Sequence, residues 1–294
     1  MFVQNPQAFA NQYTLMPFCE THVNQAHMKK LALSDGTSMT QVQGDNKVAY
    51  CDILPARSFR SGVPGDQGGS YHEAGNLLVM HITSDRPHAN AIPVYFLPWE
   101  ADRMFRMKLK PSPHHAQKTE TWFFGLLGGG AITPNVFVTA AVQGCSVFVE
   151  GDPASPVVYH VNAVSTDPAG GSLDTTDHWT YLKTAKFKAD YMTSRMQLGS
   201  KKYPKTMSAH APGAVHLMDY MPAAAPANNA WLTDHYKEEL RTETATVYQF
   251  GTIFGIRESK TWVFYRQTRT MVDYQAGGRW VTEFRNPMCL RFWP

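Results

Sequence analysis

The sequence predicts an α+β fold: a β-sandwich core of mostly antiparallel strands with a few flanking helices. Three observations lead there. From residue 77 onward, short apolar or alternating runs recur, separated by Gly/Pro turns, which is the texture of strands. Helical periodicity is sparse, and no segment of 20–50 residues repeats. The composition, 43% hydrophobic and 17% charged over 294 residues, suits a globular chain long enough to bury a core without disulfides. One domain over 1–294 is expected, with an irregular region at about 1–70 and a possible C-terminal β subregion at about 245–294.

The elements follow in order. Residues 1–70 are rich in Gln, Asn and Gly and predict little long regular structure. Leu77–Ile82 and Ile92–Leu97 read as strands, and Arg103–Leu109 alternates as a third. Thr121–Phe124 and Val136–Thr139 flank a Gly-rich stretch, Gly125–Gly130, which no Lys-Ser/Thr follows; that excludes a phosphate loop. Asp177–Leu198 and Ala230–Arg241 are the candidate helices, the second with Thr233 as N-cap. Thr246–Phe250, Thr261–Tyr265 and Trp280–Phe284 return to strand character, with Gln275–Gly278 as a hairpin turn. Trp99, Trp122 and Trp262 fall in strand-like runs and are expected in the core.

Between these lies the most informative segment. Cys145–Val149 and Val157–His160 form a predicted β-hairpin across the turn-forming Glu150–Pro156. Alternation places Cys145, Val147 and Val149 on one face, and Val158 and His160 on one face of the returning strand. If Glu150 and Ser155 close the loop, Cys145 lies directly opposite His160, with Cβ atoms about 5 Å apart. An imidazole at that distance can take a thiol proton, which is what makes a cysteine nucleophilic. Gly144 lets a substrate approach the backbone, and the amides of Gly144 and Ser146 are candidates for holding a developing oxyanion. Thr139, six residues before Cys145, can hydrogen-bond the far side of the His160 ring and fix its tautomer.

Charge and cysteine content narrow the remaining classes. Residues 181–294 carry 16 Lys/Arg against 9 Asp/Glu, yet these are scattered and match no nucleic-acid recognition motif. Cys19, Cys51, Cys145 and Cys289 form no CxxC pair, so neither a zinc knuckle nor a dithiol site is expected, and a reducing compartment is favoured. His114-His115 and Tyr71-His72-Glu73 lack metal-site spacing; no metal and no cofactor are expected. No apolar run reaches the roughly 18 residues of a membrane span, and Met1–Pro6 shows no ordinary signal peptide.

Thr139, Gly144-Cys145 and His160 together resemble the protein-glutamine deamidases, a group that includes the catalytic domain of the cytotoxic necrotizing factors, toxins of the Burkholderia lethal factor type and the bacterial chemoreceptor glutamine deamidase. Where the toxins read Leu-Ser-Gly-Cys, this chain reads Val142-Gln143-Gly144-Cys145, and the likeness covers about residues 120–165. The resemblance implies an α/β sandwich with cysteine and histidine on adjacent strands. It also implies a secreted toxin or effector that acts in a host cytosol on a glutamine of a target protein, with Cys145 as nucleophile, His160 as acid/base and Thr139 orienting His160. From the residues alone, a cysteine protease, a transglutaminase and a non-enzymatic β-sandwich binding module stay open. The oligomeric state is not encoded in any of these features.

Overall fold

In a computed structural model, the described residues are 2–19, 28–30, 40–44, 48–55, 76–99, 103–111, 133–142, 145–162, 213–215 and 226–294. The strands are β1 (Thr14–Cys19), β2 (Met28–Lys30), β3 (Thr40–Gly44), β4 (Val48–Pro55), β5 (Leu77–Thr83), β6 (Ile92–Leu97) and β7 (Arg103–Lys108). They continue with β8 (Val136–Thr139), β9 (Ser146–Glu150), β10 (Val157–Asn162), β11 (Gly213–Val215), β12 (Ala245–Glu258), β13 (Thr261–Ala276) and β14 (Arg279–Trp293). The helices among these residues are α1 (Pro6–Gln12) and α2 (Pro226–Leu240).

The strands make two sheets. One has eight strands in the order β1-β5-β4-β6-β8-β12-β13-β14; the other has six, β11-β9-β10-β7-β3-β2. The pairs β1/β5, β6/β8 and β3/β7 are parallel and the remaining pairings antiparallel. Alternation explains how the sheets meet. Tyr95, Leu97, Phe137, Ile253, Trp262, Phe264 and Trp293 of the larger sheet share one apolar core with Phe105, Met107, Val147, Val149 and Val158 of the smaller. That common core makes the pair a sandwich, as the sequence predicts. The opposite parity, Val94, Phe96, Val136, Val138, Phe254, Ile256 and Val263, packs outward into a second core with Phe2, Ala10 and Leu15.

The N-terminal region departs from expectation. Its described residues supply α1, β1 and β4, the two strands lying on either side of β5, and also the short β2 and β3. Asn5 caps α1 by accepting from the Ala8 amide at 3.3 Å, with a proline at the start of the helix. The buried amide of Gln267 donates to Ala10 O and to Tyr13 O (2.6 Å), while its oxygen accepts from Leu15 N (2.8 Å). These partners lie more than 250 residues away in the chain, which is why local pattern does not reveal them.

Three other expectations change. β12, β13 and β14 are far longer than the runs read from sequence, and β12 pairs with β8 within the eight-stranded sheet. α2 starts at Pro226, so Thr233 lies inside the helix and is not its N-cap. Trp99 is exposed, whereas Trp262 is core. Thr121–Phe124, the Gly125–Gly130 stretch, Asp177–Leu198, Tyr71-His72-Glu73 and His114-His115 lie outside the described residues. No helix among the described residues is long and apolar enough to cross a membrane.

Candidate functional site

The hairpin forms, but its register differs from the expectation. Val157 pairs with Glu150, Val158 with Val149, Tyr159 with Phe148, and His160 with Val147. His160 therefore faces Val147, not Cys145. The cause lies in the turn. Ser155 spends its hydroxyl on Leu109 O (2.7 Å), and Pro156, which has no N–H, gives its carbonyl to Leu109 N (2.9 Å). Both residues are tied to the segment after β7, so pairing with β9 can begin only at Val157. Gly151, at φ 90°, supplies the left-handed residue that leaves β9, and Asp152 accepts from Ala154 N at 2.9 Å to hold the loop.

A slip of two residues preserves the face. Cys145, one residue before β9, stays on the side of Val147 and Val149, which is the side of Val158 and His160. Cysteine and histidine thus stand on one face of adjacent strands, diagonal to each other, a relation that places Cβ atoms about 7 Å apart. That face is the inner face of the sandwich. Cys145 is 3% exposed and His160 fully buried. Cys145 is not in a disulfide, nor are Cys19, Cys51 and Cys289.

Thr139 reaches the same point from the other sheet. It is the last residue of β8, fully buried, and pairs with Leu97 at the end of the parallel neighbour β6. Its Oγ1 lies 2.6 Å from His160 Nδ1 and 3.0 Å from Leu97 O. A hydroxyl has one hydrogen. The carbonyl can only accept, so that hydrogen goes to Leu97 O, and Oγ1 must accept from His160. The pattern assigns the proton to Nδ1 and leaves a lone pair on Nε2. Burial pushes the His160 pKa down to about 3, so the ring is neutral at physiological pH. Its Nε2 is buried and, among the described residues, has no hydrogen-bond partner.

The arrangement is a neutral imidazole with a fixed tautomer, its second nitrogen unpartnered among the described residues, on the same face as a thiol two residues along the neighbouring strand. Thr139 and His160 touch where β6 and β8 end, and Cys145 lies on the same face just before β9 begins. Ser146 opens β9 opposite Val161; Gly144 lies outside the described residues. Leu97 is the participant that sequence reading missed. It contributes a main-chain carbonyl through a parallel pairing 42 residues away, and its side chain carries no signal of that role. Among the described residues, no group of three or more His, Cys, Asp or Glu is placed to hold a metal ion.

No protein-family model matches the chain, and no curated protein is found to match it.

Proposed function

We propose that the chain is a cysteine-dependent amidohydrolase that converts a glutamine side chain of a target protein to glutamate. The observation that supports this reading most is the 2.6 Å contact between Thr139 Oγ1 and His160 Nδ1, which keeps the proton on Nδ1 and leaves Nε2 unprotonated on the face it shares with Cys145. In the proposed reaction, His160 Nε2 takes the Cys145 thiol proton as sulfur attacks the carboxamide carbon. The tetrahedral oxyanion is held by main-chain amides beside the thiol, those of Gly144 and Ser146. The imidazolium passes its proton to the departing nitrogen, ammonia leaves, and a thioester remains. Water then attacks the thioester, gives a proton to Nε2, and expels the thiol with that proton restored. A bacterial toxin or effector acting in a host cytosol fits a thiol that must stay reduced.

Thr139 acts here as a positioning residue, because it touches the base and not the substrate. Both reacting groups are buried at rest, so a target glutamine reaches Cys145 only after side chains at the rim yield. The same burial favours a second reading, in which Cys145 and His160 are packing residues of a β-sandwich binding module.

Mass spectrometry on host-cell extract separates the two. Deamidation adds about one mass unit to a glutamine and releases ammonia; C145S and H160A each lose both signals while their circular dichroism stays that of the parent. Peptide cleavage would mark a protease and amine incorporation a transglutaminase. A folded C145S protein that retains the full effect on its target would leave the binding-module reading.

A further inference from the structure

The other end of the sandwich holds a positive charge that no described carboxylate neutralises. Arg257 N bonds to Asn135 O just before β8 starts, whereas Thr139 ends β8; Trp262 N bonds to Pro153 O in the β9–β10 turn, whereas Cys145 precedes β9. Arg257 and Trp262 are direct cross-strand partners. The guanidinium carbon lies 4.6 Å from the indole centroid, and Nη2 donates to Lys110 O at 2.5 Å. Among the described residues, Arg257 Nε, Arg257 Nη1 and Trp262 Nε1 are all buried without an acceptor. The two residues are only 7% and 0% exposed.

Carboxylates in the surrounding turns and strands are engaged elsewhere. Glu258 accepts from Tyr265 Oη (2.9 Å) on the opposite face, Glu150 from Tyr159 Oη (2.6 Å), and Asp152 from Ala154 N (2.9 Å). No carboxylate among the described residues pairs with Arg257. Stacking on an indole offsets part of the cost of burying a guanidinium, but it satisfies none of its N–H groups. Three orphan donors around one buried cation call for an acceptor that carries negative charge and several lone pairs.

We propose that Arg257 and Trp262 form a binding site for a small oxyanion, a phosphate or carboxylate group, that accepts from Arg257 Nε and Nη1 and from Trp262 Nε1. The site is separate from the Cys145–His160 pair and does not depend on its activity. Lys110, whose carbonyl anchors the guanidinium, is exposed beside the site.

Titration of the full chain with inorganic phosphate, and separately with acetate, tests this at ionic strength held constant with chloride. The indole N–H resonance of Trp262, assigned from its loss in W262F, is followed by NMR. The expected result is a saturable shift of that resonance, with affinity at least tenfold weaker in R257Q. Tighter binding of phosphate assigns the site to phosphoryl groups, and tighter binding of acetate to carboxylates. An indole signal that neither anion moves in the parent protein overturns the proposal, whether or not R257Q folds. Equal saturation of the parent and a folded R257Q does so too.

Discussion

Replacing Thr139 by valine removes one hydroxyl and almost no volume, so it isolates the contact that joins the two sheets at the candidate site. Leu97 O loses the Thr139 donor at 3.0 Å but keeps the Ala140 amide at 3.2 Å, so the carbonyl is not orphaned. His160 has no such reserve. Its Nδ1–H loses its acceptor, and moving the proton to Nε2 only relocates the orphan, because Nε2 is also buried without a partner. One unpaired buried donor costs about 1–3 kcal/mol, and urea denaturation should show T139V destabilised by that amount. The ring also loses the group that fixes its tautomer, so the Nδ1–H signature in ¹⁵N NMR should weaken. Under the proposed function, ammonia release from the target should fall about a hundredfold or more, the scale of a lost general base. T139S, which keeps the hydroxyl, should recover most of both. A T139V protein within about 0.5 kcal/mol of the parent, with the His160 tautomer unchanged, would refute the reasoning.

Two further outcomes follow from groups described above. The folded His160 pKa of about 3 lies below the ordinary 6.5, so the unfolded chain binds a proton that the folded chain refuses. Stability from this residue is complete above pH 6.5 and is lost on acidification towards pH 3, at roughly 1 kcal/mol per pH unit. In a folded H160Q, urea midpoints measured across that window should show a correspondingly flatter pH dependence, and an unchanged slope would count against a buried neutral imidazole. Gly255 pairs with Phe264, and a Cβ there would stand 3.0 Å from the ring edge. G255A should therefore cost about 1–3 kcal/mol by displacing the ring, and a thermal melt matching the parent would contradict that.

Part of this molecule is legible in local pattern and part is not. Alternation in Arg103–Leu109 and in the β9–β10 hairpin is visible because each strand buries one face against the shared core. The nearness of Thr139 to His160 follows from chemistry, since a tautomer needs an anchor, and the 2.6 Å contact is there. The hairpin register is not legible, because Ser155 and Pro156 are claimed by Leu109, a residue outside the hairpin. The length of β12 is hidden for a different reason. Residues 251–257 are buried on both faces, between the inter-sheet core and the outer one, so alternation disappears where the strand is most secure. The N-terminal strands are silent because Gln267 and β5, both remote in sequence, give them their partners.

The Thr139–His160 bond spans the gap between two layers that are built from different stretches of the chain. Neither layer alone can give the imidazole its fixed proton, so a polypeptide still unfurled, or one whose layers have parted, has no competent base to offer. Under the proposed function, ripening of the chemistry and closure of the architecture become one event, and a newly made chain stays inert until its two layers clasp.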